Sequence, residues 1–310
     1  MAIAHEREGN ISGVLLGSLS ARLLAGALLG LLVGATATGA DPRVRVTVTP
    51  ATPYPGDVVL IRASDVPPQL GGEWDGHPLS FFPVPDGVAA LVGIDLDRPA
   101  GPIAWRLSHA RSDGDRELVA AGSVLLLART FPTQRLVLPR GQVDLDLATL
   151  ARVRGEQAEL HAVLAAGTGA RLWRGPFRVP VDGGRPTGGF GLRRIINDQP
   201  RSPHTGYDWA APRGTPVLAA NAGRVALVAE HFFAGRLVVL DHGLGLFTLY
   251  FHLDDTRVRP VEDVARGQRI GSVGATGRAT GPHLHLGVSL GGARVDPMAL
   301  LALSPPPDPW

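Results

Sequence analysis

Five residues in the second half of the chain, His204, Asp208, His252, His283 and His285, are of the types that bind divalent metal ions and carry protons. The chain has no cysteine, which excludes disulfides, a thiolate metal site and a Cys nucleophile and leaves imidazoles and carboxylates as the metal-binding groups. A catalytic zinc site needs three such ligands and one position left for water. In His204-Thr-Gly-Tyr-Asp208 an imidazole and a carboxylate stand four residues apart. Pro203, Gly206 and the strand-rich surroundings argue against a helix there, so the two must converge through a loop that runs into a strand. In Gly281-Pro-His-Leu-His-Leu-Gly287 the two histidines occupy positions i and i+2, which share one face of a strand while Leu284 and Leu286 share the other. Apolar residues on the reverse face would pack the core and hold the imidazoles rigid. Tyr250-Phe-His-Leu253 puts His252 at the end of an apolar run, just before Asp254-Asp255. Each short pattern is common by itself, and what distinguishes this segment is that it concentrates them.

The elements that must position these residues read as mainly β. Gly and Pro recur from Pro176 onward among short Val/Leu runs, notably 216–219, 223–229, 237–240 and 246–251, the pattern of an antiparallel β-domain. Asp241-His-Gly-Leu-Gly245 reads as a hairpin connection between two of these runs, and His231 and His242 as turn or surface residues. Upstream, Leu147, Leu150, Val153, Leu160 and Leu164 lie at helical spacing, which predicts one amphipathic helix over 144–165 with Gly155 as a weak point, docked between domains. In the front half, Val44, Val46 and Val48 alternate with Arg45 and Thr47. Further short runs at 57–63, 88–94, 103–108 and 123–128 are divided by Gly, Pro and Asp turns. This predicts an N-terminal β-sandwich over 42–130. His77 and His109 sit alone in it, and no catalytic set assembles there.

Composition limits the function classes. The 310 residues include 40 Gly and 27 Pro, with 45% hydrophobic and 19% charged residues, a balance that suits globular structure rich in strands and turns. All 30 basic residues are Arg, yet the formal net charge is only +2 and no basic block appears, which argues against a nucleic-acid partner. At the N-terminus, Arg7 and Arg22 precede an apolar run from Leu23 to Ala35 and then small residues to Ala40, the layout of a secretory signal peptide over 1–40 cleaved after Ala37 or Ala40. The alternative is an uncleaved anchor over 11–37, the one case in which the chain would touch a membrane. Either way the bulk of the chain is expected outside the cytoplasm, in the periplasm or cell envelope. A Pro-rich tail is expected over 301–310.

Taken together, Phe190-Gly191, Pro203-His-Thr-Gly-Tyr-Asp208, Gly214-Thr-Pro-Val217, Gly223-Arg-Val225, Asp241-His-Gly243, His252-Leu253, Gly267-Gln-Arg-Ile-Gly271 and Thr276-Gly-Arg-Ala-Thr-Gly-Pro-His-Leu-His285 occur in the order of the lysostaphin or LytM-type zinc metallopeptidases, which residues 175–300 strongly resemble. The resemblance implies one zinc ion per chain held by His204, Asp208 and His285, with His252 and His283 as catalytic histidines. It also implies hydrolysis of peptidoglycan peptides by a zinc-bound water that attacks the scissile carbonyl. D-alanyl-diaminopimelate cross-links are the first choice of bond, since the single signal sequence and Arg-rich composition suit a Gram-negative envelope; glycyl bridges are second. The rival implication is a non-catalytic LytM-type regulator that activates a cell-wall amidase, in which case the partner is another envelope protein; such regulators usually lose the ligand residues, and here all five are present. The front half is similar to the immunoglobulin-like domain that precedes some of these peptidases, in Tyr54-Pro-Gly56 and in Gly93-Ile-Asp95 before Pro99-Ala-Gly101, and 131–174 is then a helical linker. One departure is Val261-Glu262, where the family often has Gly-Asp, which bears on the geometry of a turn.

Overall fold

The strand Val58–Ser64 is a nearly unbroken apolar run, the signature of a strand covered on both faces. In the computed structural model of the protein, which describes residues 43–111, 115–137 and 140–303, it has that position. One antiparallel sheet orders Arg45–Thr49, Val58–Ser64, Gly87–Gly93 and Phe81–Val84; a second orders His77–Pro78, Leu70–Trp74, Gly101–Ala110 and Arg116–Leu126. Val59, Ile61 and Ala63 meet Trp74, Trp105 and Leu107 in the core between these two sheets. On the opposite face Val58 and Leu60 join Phe82, Trp173, Val288 and Leu290 in a core shared with the C-terminal part. Arg294 reinforces that seam, its Nη2 standing 2.9 Å from Asp95 Oδ1 and 2.7 Å from Asp97 Oδ2.

The C-terminal part is a ten-stranded antiparallel sheet. Its main path runs Arg185–Gly188, Gly206–Ala210, His283–Leu290, Leu246–Thr256, Gly235–Gly243, Gly223–His231 and Asp263–Val264. Leu284, Leu286, Val288 and Leu290 face the large core. The other face carries Leu237, Val239, Phe247 and Leu249, covered by Leu160, Val163 and Leu164 of the helix Leu147–Ala165. The helix and the two histidines of the strand His283–Leu290 therefore lie on the same side of the sheet.

Several boundaries differ from the sequence expectation for physical reasons. The helix begins at Leu147, where the carboxylate of Asp146 accepts a hydrogen bond from the Thr149 amide at 2.7 Å, and it passes through Gly155 without a break. Its apolar stripe is shorter than the spacing implied, because Leu147 is exposed. It docks on the C-terminal sheet through that stripe. The segment 131–174 also contains a strand, Thr133–Leu136, which pairs in parallel with Arg193–Ile196. The strands Leu70–Trp74 and Phe81–Val84 are obscured in the sequence by Gly71, Gly72 and Pro83; a Cβ on Gly72 would fall 3.0 Å from the ring of Phe81 on the facing sheet, so the absent side chain is what lets the sheets close. The 241–245 connection shrinks to Leu244 and Gly245, both at positive φ, the two-residue primed hairpin. Leu301 and Ala302 belong to the helix Pro297–Ala302, so the expected tail starts later. The expected signal segment over 1–40 and residues 304–310 lie outside the described residues. No helix among the described residues is long and apolar enough to cross a membrane.

Val261, the departure in the turn before Asp263–Val264, has φ +70° and is exposed. A β-branched residue is strained in that left-handed region, whereas glycine is not. Val261→Gly is therefore expected to raise unfolding stability by about 1 kcal/mol, read as a higher urea midpoint at unchanged slope; a lower midpoint contradicts the assignment of strain.

Candidate functional site

Register places the first two metal-binding groups. Gly206–Ala210 pairs with His283–Leu290 so that Asp208 stands directly opposite His285, while Trp209 stands opposite Leu284 on the core face. Asp208 Oδ1 and His285 Nδ1 are 2.8 Å apart. His204, in the loop that feeds this strand, closes the triangle, its Nε2 lying 3.0 Å from Asp208 Oδ1 and 2.9 Å from His285 Nδ1. The Nδ1–H of His204 donates to the Gly189 carbonyl oxygen at 2.8 Å, which leaves Nε2 as the lone-pair nitrogen. All three residues are buried. Tetrahedral donors about 2.0 to 2.1 Å from a zinc ion stand about 3.3 Å apart, so the observed triangle, slightly contracted, fits such a cation.

Electrostatics agree with that chemistry. Burial alone would raise the Asp208 carboxyl, but the polar contacts of its oxygens with His204 and His285 outweigh it and hold it far below the usual carboxylate range. Burial pushes the His285 imidazole down to about 4. At neutral pH the cluster is thus an ionised carboxylate and a neutral imidazole beside His204, all converging on one point. These donors match a borderline-soft divalent cation.

His252 reaches the site by a different device. Simple alternation along Leu246–Thr256 would turn it, like Tyr250, toward the large core. Instead Phe251 and His252 together oppose the single residue Leu237, a β-bulge, and His252 adopts φ +63°. Bulges re-aim side chains, and the left-handed backbone here, uncommon for a residue other than glycine, completes the turn of the ring. The turned imidazole lies 4.6 Å from that of His283, centroid to centroid. His252 Nδ1–H donates to the Thr276 carbonyl and His283 Nδ1–H to the Gly281 carbonyl, at 2.9 and 2.8 Å, so both rings present Nε2 to the cleft. Burial, with repulsion from His285 and His283, pushes His252 down to about 3, and it stays neutral. Phe251 stacks on His285 with centroids 5.2 Å apart and fixes that ring.

The structure thus brings His204, Asp208, His252, His283 and His285 into one cleft. Two other histidines differ from expectation. His242 is fully buried within Gly235–Gly243, its Nδ1–H donating to the Ala222 carbonyl and its Nε2 accepting from the Thr248 hydroxyl, both at 2.7 Å. His231 is buried against the helix, with Nε2 2.9 Å from Glu159 Oε2. Arg194, which sequence reasoning passed over, lies with its Nη2 3.7 Å from Asp208 Oδ2; only its place one turn upstream of the His204 motif could have drawn notice.

Comparison with known proteins points the same way. The description Peptidase family M23 matches residues 202–297, which hold all five residues. Over 132 residues the chain is 42% identical to the peptidoglycan DD-endopeptidase ShyA of Vibrio cholerae, covering 42% of this chain and 31% of that protein. It is 35% identical over 132 residues to the DD-carboxypeptidase/endopeptidase Mpg of Neisseria meningitidis, covering 38% of this chain and 30% of that one. The matches thus span about a third of the length of these curated relatives. A crystal structure from Pseudomonas aeruginosa described as a peptidase M23 superposes with a TM-score of 0.62 at 30% identity, covering 81% of this chain and 95% of that one.

Gly206 offers a direct test of the site's tolerances. A Cβ there would fall 2.5 Å from the His285 ring and 2.4 Å from the Leu286 carbonyl oxygen. Gly206→Ala is expected to weaken zinc binding at least about 10-fold, measured by competition with a chromophoric chelator, whereas Gly155→Ala, at a glycine that like Gly206 is not at positive φ but whose Cβ meets nothing within 4 Å, is expected to leave it unchanged. Equal affinities in wild type and Gly206→Ala contradict the packing described.

Proposed function

The chain belongs to peptidase family M23, and on that footing we propose that it is an exported zinc metalloendopeptidase that hydrolyses peptide cross-links of peptidoglycan in the periplasm or cell envelope. The observation that carries the reading is the triangle of His204 Nε2, Asp208 Oδ1 and His285 Nδ1 beside two further imidazoles. Those three atoms would hold one zinc ion. When bound, zinc supplies Lewis acidity toward the scissile carbonyl and a lowered pKa for a water in its open position.

The chain's own groups do the rest. His252, neutral through burial and with Nε2 turned to the cleft, takes a proton from the attacking water and passes it toward the leaving amine. His283, whose Nε2 stands 3.9 Å from Asp208 Oδ1, is the second proton-handling group, and with a proton taken up at Nε2 it donates to the charge that develops on the carbonyl oxygen. The Thr276 and Gly281 carbonyls fix both tautomers, and the covering helix keeps bulk water from one side of the cleft, where Val153 and Leu160 line it. Residues 175–300 form the catalytic domain in this reading, 131–174 a linker that docks on it, and 42–130 an immunoglobulin-like module. The segment 1–40 directs export or anchors the chain.

Names of relatives support the substrate. ShyA is named a DD-endopeptidase and Mpg a DD-carboxypeptidase/endopeptidase, both of which denote bonds between D-centres. This favours D-alanyl-diaminopimelate cross-links over glycyl bridges, which have none. Retention of all five residues disfavours the amidase-activating regulator.

Incubation of the zinc-loaded protein with purified sacculi, followed by chromatography of the digested muropeptides, tests the reading. Cross-linked dimers are expected to give way to monomers, and His252→Ala to slow this by about 100-fold or more while zinc content is kept. Unchanged dimers with wild type would transfer the protein to the regulator class.

A further inference from the structure

Two arginines stand at the cleft without a part in the chemistry above. Arg194, on the strand Arg193–Ile196, and Arg278, in the loop before His283, border with His252 and His285 both adjoining cavities of the cleft, of about 290 and about 330 Å³. Arg194 has Nη2 3.7 Å from Asp208 Oδ2, and its Nε is buried without a hydrogen-bond partner. The Arg278 guanidinium lies 4.1 Å from the centroid of the Phe233 ring; among the described residues it has neither a carboxylate nor a hydrogen-bond acceptor. Burial, then repulsion from Arg194 and Arg201, pushes its pKa down to about 10. Two half-buried cations thus stand close enough to repel at one cleft, where only Arg194 has a carboxylate beside it, Asp208, whose charge a bound metal would also draw upon. Converging like charges are costly in a partly buried site, and such an arrangement suits an arriving anion, for which guanidinium forks are the preferred donors.

We propose that Arg194 and Arg278 form a carboxylate subsite that binds the free carboxylate on the carbon bearing the leaving amine of the cross-link. The inference rests on the endopeptidase reading and narrows it. Because Arg194 stands against the metal-binding Asp208, an anion bound there must lie close to the reacting carbonyl. In a D-alanyl-diaminopimelate cross-link the scissile nitrogen is attached to a carbon that carries a free carboxylate, three bonds from the scissile carbonyl carbon. In a glycyl bridge the corresponding group is a neutral peptide carbonyl. The arginine pair thus gives the cleft a physical means of choosing the first bond over the second, since a site built for a charged group loses heavily when that group is replaced by a neutral one.

The test uses the full zinc-loaded chain and two synthetic cross-linked peptide dimers, identical except that the carboxylate beside the scissile amide is free in one and amidated in the other. Amidation is expected to lower wild-type kcat/KM by about 10- to 100-fold, chiefly through KM. Arg278→Gln is expected to bring cleavage of the free acid down to the level of the amide, and Arg278→Lys to restore part of the difference. Equal cleavage of both dimers by wild type overturns the inference, and that comparison needs no variant to fold. Retention of the full preference in Arg278→Gln overturns it as well. If zinc-loaded wild type cleaves neither dimer, the endopeptidase reading itself fails and takes the subsite with it.

Discussion

Two imidazole nitrogens and a carboxylate oxygen held within 3.0 Å of one another repel through their lone pairs unless a proton or a cation lies among them. The rest of the C-terminal architecture can be understood as what is needed to impose that arrangement. Opposed positions on neighbouring strands give Asp208 and His285 their separation, with Trp209 and Leu284 anchoring the same two strands from behind. Glycine at 206 leaves room for the His285 ring, and the Gly189 carbonyl selects the tautomer of His204. A closed backbone ladder and a buried reverse face are stiff supports, and stiffness is what a preformed metal site requires.

The front half contributes through packing. Its sheet of Arg45–Thr49, Val58–Ser64, Gly87–Gly93 and Phe81–Val84 is covered on both faces, by its own partner sheet and by the C-terminal part. Phe82 meets Trp173 edge to face at 5.5 Å. The strand Thr133–Leu136 and the helix Leu147–Ala165 then border the cleft from two sides, through Gln134 and Leu136 on one and Val153 and Leu160 on the other. Segments outside residues 202–297, the range that matches the family description, therefore shape the space a peptide would enter.

Much of this was legible in the residue pattern because the controlling periods are short. The i and i+2 spacing of His283 and His285, with leucines between, specified one face of a strand, and the apolar runs from 216 to 251 specified its neighbours. What could not be read was whatever depends on a break in period or on cover from a distant segment. His252 follows Tyr250 at an interval that would point it into the core, and only the bulge opposite Leu237 turns it to the cleft. His242 sits in a Gly-containing stretch that resembles a turn, yet the strand runs through it and buries it. The nearly unbroken apolar run of Val58–Ser64 pointed to cover on both faces, but not to the C-terminal part as what supplies the second cover. The strands at Leu70 and Phe81 were hidden by glycine and proline whose role is close packing and edge placement.

The central claim is that two imidazoles and one carboxylate are preset to hold a zinc ion, and X-ray absorption at the zinc edge on the purified, zinc-equilibrated protein addresses it most directly. The account predicts one zinc per chain, with nitrogen and oxygen donors at about 2.0 to 2.1 Å, two of them imidazoles by their outer-shell scattering, and loss of one imidazole in His285→Ala. Zinc that does not stay with the protein, or a first shell without imidazole, would contradict it.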